Sequence, residues 1–391
     1  MKILIINKDL RLGGGTTAID NLRHGLKKYG VTIDIAIFEN SINLTSVGRD
    51  QIFFLSNQKK IIKILRPIYF LVFLLKLMFI VPKYDLIFTF ERYPAYFNII
   101  LSKIFNKKSI IYIINPLSES LNNIYKNKFL FKLHVFLHKI ILSLTNLVIV
   151  LEKNAKKELV DYFLVKNNKV MIIPFFVDFE KIKILSKDKI SDQIKKIIFK
   201  KKVIINVGRL HFQKNQDLLI RAFYLVKKQY KKVILLIIGT GEEKNVLKKL
   251  IKKLNLKTSV FIIENENNPF KYLIHADVFA LSSISEGLPI SLLEALYFKL
   301  PIVSTDCSHG IRYIITPEIP DNYQIIDFYT NNYGTLVSNT KKQVVKLLAN
   351  NINYYLNNKD RHKIEKMKRA LMFSKKNILP IWKRVLDNLS I

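Results

Sequence analysis

The chain has 391 residues, and its 64 Lys and Arg against 30 Asp and Glu give a formal net charge of +34 at pH 7. This length is too great for one compact hydrophobic core and favours two domains of roughly 180 residues each. The lone cysteine, Cys307, excludes an intrachain disulfide and a cysteine metal cluster.

Strands and helices are predicted to alternate along the whole chain. Apolar runs predict strands at residues 2–7, 32–38, 84–90, 109–114, 146–151 and 170–173 in the first half, and at 202–207, 232–238, 259–263, 277–281, 301–304 and 334–337 in the second. Helical segments between most of these strands imply an α/β fold, with parallel sheets covered by helices on both faces. The polar, lysine-rich range 181–201 is predicted to link a first domain, 1–180, to a second domain, 202–372.

A glycine turn follows the first predicted strand, within Leu12-Gly13-Gly14-Gly15-Thr16-Thr17. Glycine has no side chain, so the backbone there is free to approach a ligand or a facing domain. The spacing is not that of the dinucleotide-binding fingerprint. Gly14 and Gly15 are therefore candidate ligand contacts, and a flexible turn is the alternative.

Residues 61–81 form a long apolar stretch in the first domain. A spanning helix needs about 20 mainly apolar residues. Four residues disfavour spanning here: Lys63, Arg66, Pro67 and Lys76. A helix lying in the membrane interface suits the composition better, with lipid contacts expected from Phe70, Phe73 and Leu77. A buried helix of the first domain is the alternative.

The net charge exceeds what one small anionic ligand requires and favours a polyanionic partner. An anionic membrane surface is one candidate, and nucleic acid is the other. The sequence has no zinc-finger spacing, no RNA-binding aromatic strand signature and no evident recognition helix. We therefore expect a membrane surface and no specific nucleic acid.

A basic pair follows the predicted strand at 202–207. The run Val203-Ile204-Ile205-Asn206-Val207 is typical of a strand buried on both faces. Arg209 and Lys214 then emerge beyond its carboxyl end, where open α/β sheets bind ligands. A guanidinium and an ammonium at this spacing are suited to clamp two phosphates. A chance pair in a lysine-rich chain is the alternative.

Two carboxylates bracket a turn and the start of a helix in the segment Ser285-Glu286-Gly287-Leu288-Pro289-Ile290-Ser291-Leu292-Leu293-Glu294. Pro289 suits the first turn of a helix because its missing N–H would have no partner there. Glu286 then lies on the preceding loop and Glu294 in the second helical turn, where both can face a ligand at the helix N-terminus. A capped core helix with two incidental acids is the alternative.

The spacing of these glutamates, with Gly-Leu-Pro after the first, resembles the signature of the retaining glycosyltransferases of family 4, which have the two-domain GT-B fold. The resemblance implies two Rossmann-like domains facing across a cleft. It also implies a C-terminal helix, 373–391, that packs back onto the first domain. Many family members carry a histidine after a strand of the first domain, and here Asn115 stands at the matching place. Asn115 is suited to hydrogen-bond an acceptor sugar but not to relay a proton.

The resemblance also assigns roles to the motif residues. It implies that Glu286 contacts the donor sugar and that Glu294 holds the ribose hydroxyls of the nucleotide. Arg209 and Lys214 resemble the family's pair that binds the diphosphate, which makes Arg209, Lys214 and Glu286 the candidate catalytic residues. Donor contacts are further expected from the glycine turn and from the residues between the glutamates: Gly14, Gly15, Gly287, Leu288 and Pro289.

The implied reaction is retaining transfer of a sugar from a nucleoside-diphosphate sugar, with UDP the expected nucleotide, to a glycan or lipid-linked acceptor of bacterial surface-polysaccharide or lipooligosaccharide synthesis. No Asp-any-Asp triplet occurs, so we expect no essential metal and no cofactor. The short apolar start does not resemble a secretory signal, and a cytoplasmic location at the inner face of the membrane is expected. The alternatives are a small free acceptor, an epimerase or phosphorylase of the same fold, and a non-catalytic polyanion-binding module.

Overall fold

Two seven-stranded sheets account for the alternating apolar runs of the sequence. The structure is a computed structural model that describes residues 1–10, 13–40, 52–58, 66–90, 92–320, 322–340, 342–358 and 360–390. Leu12 of the glycine turn and residues 61–65 of the predicted membrane stretch lie outside the described residues. The chain divides into two compact units, Met1–Phe176 with Lys376–Ile391, and Val177–Lys375.

The first unit contains a fully parallel sheet in the order β3-β2-β1-β4-β5-β6-β7. Its strands are β1 (Lys2–Asn7), β2 (Thr32–Ile37), β3 (Ile52–Phe54), β4 (Leu86–Phe90), β5 (Lys108–Ile113), β6 (Leu147–Val150) and β7 (Val170–Ile172). Its helices are α1 (Gly14–Lys27), α2 (Arg66–Ile80), α3 (Arg92–Ile104), α4 (Leu117–Ile124), α5 (Lys128–Leu144), α6 (Lys153–Asp161) and, from the end of the chain, α16 (Lys375–Ser390).

Continuous burial explains why these strands are readable from the sequence. In β4 all five residues are buried, because helices cover both faces of the sheet. The ring of Trp382 in α16 lies 5.6 Å from the ring of Phe88 in β4 and 5.9 Å from that of Tyr112 in β5. The last helix is therefore part of the first unit's core.

The second unit contains a sheet in the order β10-β9-β8-β11-β12-β14-β13, in which β13 runs antiparallel to its neighbour and the other described strands run parallel. Its strands are β8 (Lys202–Val207), β9 (Val233–Ile238), β10 (Val260–Ile263), β11 (Val278–Leu281), β12 (Ile302–Asp306), β13 (Phe328–Thr330) and β14 (Thr335–Ser338). Its helices are α7 (Phe179–Leu185), α8 (Asp192–Ile198), α9 (Gln216–Gln229), α10 (Lys244–Lys253), α11 (Phe270–Leu273), α12 (Ile290–Tyr297), α13 (His309–Ile315), α14 (Val344–Asn357) and α15 (Lys363–Leu371).

The structure departs from the sequence prediction at several places. The edge strands β3 and β13 were not predicted, since three-residue strands carry little periodicity. The range 181–201, predicted as a linker, forms much of α7 and all of α8 within the second unit. The lysines of these two short helices lie mostly on exposed positions, so composition alone suggested a linker. Gly14 and Gly15 belong to the first turn of α1 rather than to a loop.

Helix α2 combines the two alternatives considered for the apolar stretch. Phe73 and Leu77 are fully buried in the core of the first unit, so their prediction as lipid contacts is wrong. The ring of Phe73 stacks 5.1 Å from that of Phe38 after β2. The opposite side of α2 is exposed and apolar, and Phe79 is 81% exposed. No described helix combines the length and the hydropathy that crossing a bilayer requires.

Each sheet reverses its strand order next to its first strand. In the first unit the reversal lies between β1 and β4, and in the second between β8 and β11. Loops beyond the carboxyl ends of strands at such a point diverge to opposite sides and leave a crevice. The predicted motifs follow these strands: the glycines come after β1, Arg209 and Lys214 after β8, and Glu286 after β11.

Candidate functional site

Close backbone packing shapes the loop that carries Arg209 and Lys214. After β8 the chain passes through Gly208 and Arg209 into a short 3-10 helix, Phe212–Lys214. A Cβ on Gly239 would lie 1.9 Å from the Gly208 carbonyl oxygen, and one on Gly241 would lie 2.1 Å from that of Leu210. Only glycine permits this approach, which the hydrogen bond from Leu210 N–H to the Thr240 carbonyl (2.8 Å) holds in place.

Lys214 and Glu286 form the central contact of the site. Lys214 Nζ donates to Glu286 Oε1 at 2.5 Å, and both side chains are largely buried. The Ser283 hydroxyl donates to the same oxygen at 2.6 Å. A buried charge pair is retained in a protein only when its polar atoms are satisfied. Here the ammonium and the hydroxyl together hold the carboxylate in one orientation.

Hydrogen bonds connect the loop after β8, which carries Lys214, to the loop after β11, which carries Glu286. Ile284 N–H donates to the Gln213 carbonyl, and the Gln213 side-chain amide donates to the Ser285 carbonyl, each at 2.8 Å. The Ser282 hydroxyl donates to the Asn215 carbonyl, also at 2.8 Å. The two loops therefore form one rigid edge beyond β8 and β11.

Glu294 lies buried on α12 without a compensating charge. Its side chain is 9% exposed and makes no hydrogen bond to the part of the chain that the structure describes. Burial raises its pKa from 4.5 to about 7. A carboxyl with this pKa is ready to accept hydrogen bonds from a polar ligand, because such bonds replace the solvation that burial removed.

The turn between the two glutamates is packed against the start of α13. Pro289 is the N-terminal capping residue of α12, which begins at Ile290, one residue later than the sequence suggested. Leu288 is buried, and a Cβ on Gly310 would lie 1.5 Å from the Gly287 carbonyl oxygen. This tight contact fixes the backbone of Gly287 and Leu288 relative to the N-terminus of α12.

Arg209 projects from the same edge but is not part of the buried pair. Its side chain is exposed, and its guanidinium has no ion-pair partner among the described residues. His211, beside it, accepts from Gln213 N–H at 3.3 Å. Burial, followed by the charge of Arg209, lowers the pKa of His211. A neutral His211 leaves Arg209 and Lys214 as the cations of this edge.

Three residues at or beside the site were not predicted as site residues from the sequence. Ser283 and Gln213 follow strands as ordinary polar loop residues, and only the fold brings them to Glu286 and Ser285. The pKa of the Cys307 thiol is raised, first by burial and then by the negative charge of Glu286, so this thiol stays protonated beside the site. The signal available for Ser283 was its position two residues after the buried strand β11, whereas Gln213 lies six residues beyond β8.

The first unit has its own polar cavity at the carboxyl ends of β4 and β5. Asn115 lines it together with Arg92, Ile113, Ile114, Leu117 and Ser120. A Cβ on Gly15 would lie 3.4 Å from the Ile114 side chain, so the start of α1 borders this edge. Gly14, Gly15 and Asn115 thus lie in the first unit, whereas the remaining predicted site residues lie in the second.

Among the described residues, no group of three or more His, Cys, Asp or Glu side chains lies close enough to hold a metal ion. The Asp306 carboxylate near the site forms an ion pair with Arg312, whose guanidinium donates to the two carboxylate oxygens at 2.7 and 2.6 Å. The chemistry available at this edge is therefore that of two cations, a paired carboxylate and a buried acid.

Comparison with known proteins relates the second unit to one family. Residues 187–371 match the family described as glycosyl transferases group 1. Over 251 residues, 63% of this chain and 61% of the relative, the sequence is 36% identical to an uncharacterized glycosyltransferase of Methanocaldococcus jannaschii. It is 32% identical over 247 residues, 61% of this chain and 64% of the relative, to the N-acetylgalactosamine-N,N'-diacetylbacillosaminyl-diphospho-undecaprenol 4-alpha-N-acetylgalactosaminyltransferase of Campylobacter jejuni. The chain thus spans less than two thirds of either relative.

The fold is similar to that of solved glycosyltransferase structures over almost the whole chain. The crystal structure of Anabaena HepE in complex with UDP-glucose matches with a TM-score of 0.78 at 17% identity, covering 99% of this chain and 100% of that one. At 17% identity, this similarity is evidence for the fold alone. The prediction of a GT-B fold with two Rossmann-like sheets is confirmed.

Proposed function

We propose that this chain transfers a sugar from a nucleoside-diphosphate sugar, with UDP as the nucleotide, to a hydroxyl of a lipid-linked glycan, with retention of the anomeric configuration. The match of residues 187–371 to the glycosyl transferases group 1 supports the proposal. The observation that carries the proposal is the contact of Lys214 with Glu286 at the carboxyl edge of β8 and β11. This edge is where an open α/β sheet receives a nucleotide.

The charges of this edge suit the departure of a nucleoside diphosphate. As the bond between sugar and phosphate breaks, negative charge grows on the leaving oxygens, and Arg209 and Lys214 stabilise it. The N–H groups at the start of α12 add to the positive potential. Glu286, oriented by Lys214 and Ser283, is placed to accept hydrogen bonds from the donor sugar. Glu294 is placed to accept hydrogen bonds from the ribose hydroxyls.

Proton transfer in this proposal needs no protein base. The leaving phosphate oxygen takes the proton of the acceptor hydroxyl on the same face of the sugar. Asn115 is suited to hydrogen-bond the acceptor but has no titratable proton. Its place in the cavity with Arg92 and Ser120 supports a binding role in the first unit. We also propose that no divalent ion takes part, and turnover unchanged by a chelator is the expected result.

The proposed acceptor and location rest on the net charge of the chain and on the name of one relative. The name of the Campylobacter jejuni relative describes a diphospho-undecaprenol acceptor, which resides in a membrane. The net charge of +34 and the exposed apolar side of α2 suit attachment to an anionic bilayer. We therefore propose a peripheral protein on the cytoplasmic face of the membrane that takes part in surface-glycan synthesis.

A screen of nucleoside-diphosphate sugars tests the donor assignment. A ligand at 100 times its dissociation constant adds about 2.7 kcal/mol to the free energy of unfolding, so a true donor should raise the melting temperature measurably. With the donor identified, acceptor-dependent release of UDP and NMR of the product's anomeric proton test transfer and retention. Conversion of the sugar without UDP release would indicate an epimerase, and dependence on phosphate a phosphorylase. Either result would contradict the proposal.

A further inference from the structure

Helix α5 carries apolar side chains on two opposite sides. Its inner side packs in the core of the first unit through Val135, His138, Ile141 and Leu142, all of which are buried. Its outer side presents an exposed row, here called the α5 stripe: Phe129, Leu133, Phe136, Ile140 and Leu144. Phe129 is 73% exposed and Phe136 59%. A surface helix of a globular domain ordinarily turns polar residues outward, so the α5 stripe needs a partner.

The spacing of the α5 stripe makes it one continuous row. Steps of four, three, four and four residues keep these side chains within about 80° of arc on an α-helix. Three lysines lie on one flank of the row, Lys128, Lys132 and Lys139, and the helix contains no acidic residue. An apolar row beside cations is the pattern of a helix that lies in the interface of an anionic membrane.

Helix α2 turns a similar surface to the same side of the first unit. Strand register places Ile87, Ile111 and Val148 on one face of the sheet. Ile87 belongs to the same buried cluster as Phe73 of α2, and Ile111 and Val148 belong to the same buried cluster as Ile141 of α5. Helix α3 contacts both α2 and α5. The two helices therefore cover one face of the sheet, with α3 between them. The exposed outer sides of α2 and α5 both point away from that face of the sheet.

The outer side of α2 is likewise an apolar row, here called the α2 stripe: Ile68, Leu71, Val72, Leu75 and Phe79. We propose that the α5 stripe and the α2 stripe together form a docking surface for an anionic lipid bilayer, with α5 contributing both lipid contacts and cations. The inference deepens the proposed function, because it names the surface through which the protein would reach a lipid-linked acceptor. A second copy of the chain is disfavoured as the partner, since two copies would each bring a net charge of +34.

Vesicle sedimentation tests the α5 stripe directly. The chain should bind vesicles containing phosphatidylglycerol and bind pure phosphatidylcholine vesicles much more weakly. The triple variant Phe129→Gln, Phe136→Gln, Ile140→Gln should lose at least about tenfold in affinity for the anionic vesicles. The matched control, Val246→Gln, Ile274→Gln, Ile364→Gln, changes three exposed apolar residues of the second unit and should bind as the unaltered chain does.

A single substitution gives a second readout that does not depend on the triple variant folding. The chain contains one tryptophan, Trp382, which is buried. Phe136→Trp should add an indole whose fluorescence is quenched by lipids brominated along their acyl chains. Phe199→Trp, at an exposed position of the second unit, should not respond. Lys128→Gln with Lys132→Gln should weaken binding to anionic vesicles and leave the residual binding to neutral ones unchanged.

The outcomes separate this inference from the donor reaction. Stabilisation of the triple variant by nucleoside diphosphate should equal that of the unaltered chain, because the substitutions lie in the other unit. Unchanged vesicle binding in the triple variant, or no quenching with Phe136→Trp, would overturn the docking surface while leaving the donor assignment standing. Loss of self-association in size-exclusion chromatography with unchanged vesicle binding would overturn it in favour of a second copy.

Discussion

The ion pair between Lys214 and Glu286 is the central electrostatic contact of the candidate site. Because its members are largely buried and 2.5 Å apart, neither can be altered without changing the electrostatics of the other. In the proposed function, a diphosphate bound at this edge would offer Lys214 a second anionic partner, and Glu286 would then be available to a sugar hydroxyl. The two residues are therefore expected to respond differently to substitution.

We expect Lys214→Ala to reduce turnover at saturating donor by roughly 10²–10³, the usual cost of losing one group that stabilises the leaving charge. Arg209→Lys should also reduce turnover, because an ammonium cannot make the two parallel hydrogen bonds of a guanidinium. Steady-state UDP release measures both effects. Lys257→Ala, at an exposed lysine of the second unit, is the control. Near-normal turnover in Lys214→Ala would contradict its assignment.

We expect Glu286→Gln to depress transfer while leaving nucleoside-diphosphate affinity unchanged or higher. The amide keeps a hydrogen-bonding group beside Ser283, but it no longer neutralises Lys214, whose charge is then free to attract a diphosphate. A sugar without its carboxylate partner loses the alignment that lowers the barrier. Calorimetric titration with UDP and with the intact donor distinguishes the two effects. Equal losses for both ligands would show that Glu286 only supports the loop.

Glu294 should couple stability and ligand binding to pH. Its pKa is raised from 4.5 to about 7 by burial. Between these values the folded state retains a proton that the unfolded state has lost, so the free energy of unfolding falls as pH rises. Well above pH 7 the folded state carries the full cost of burying a charged carboxylate. That cost lowers the free energy of unfolding by about 3 kcal/mol, at 1.36 kcal/mol per pKa unit.

We therefore expect Glu294→Gln to raise the melting temperature at pH 8 much more than at pH 5. The same variant should bind nucleoside diphosphate more weakly, because ribose hydroxyls lose a carboxylate acceptor, at about 1–3 kcal/mol for each group left unpaired. Thermal melts at the two pH values and a UDP titration provide both measurements. Equal stabilisation at pH 5 and pH 8 would mean that Glu294 does not titrate in this range.

At the scale of elements, α2 shows how one apolar helix divides between core and surface. We expect Phe73→Ser and Leu77→Ser each to lower the free energy of unfolding by about 3–5 kcal/mol, because both side chains are fully buried. Leu75→Ser and Phe79→Ser, on the exposed side of the same helix, should change stability little and weaken binding to anionic vesicles. Denaturant titration and vesicle sedimentation compare the two pairs, and similar stability losses in both would place the whole helix in the core.

At the scale of the whole molecule, the net charge of +34 acts over a longer range than the contacts of the site. Exposed charges are screened within about 8 Å at physiological salt, whereas the buried contacts of Lys214 are screened much less. We expect a rise from 50 mM to 500 mM NaCl to reduce binding to anionic vesicles strongly and to change UDP affinity only modestly. Parallel loss of both would indicate that nucleotide binding is a general polyanion effect.

Local sequence was sufficient for most of the fold. All twelve predicted strands correspond to strands of the two sheets, because a strand covered by helices on both faces must be apolar along its whole length. The alternation of elements predicted parallel sheets covered by helices, and the GT-B fold was implied by the resemblance of the segment from Glu286 to Glu294 to the family 4 glycosyltransferases. The unpredicted strands β3 and β13 lie at sheet edges, where half of the pairing and much of the burial are missing and the pattern is correspondingly weak.

Tertiary structure alone decided the features that depend on distant residues. Lys214 and Glu286 are 72 positions apart, so no local pattern shows that they pair or that Ser283 and Gln213 orient their loops. The burial that raises the pKa of Glu294, and the choice of which sides of α2 and α5 face the core, also depend on how elements pack. Sequence therefore determined the elements and the residue types available for chemistry. Packing determined their charge, orientation and exposure, because these properties belong to contacts between segments.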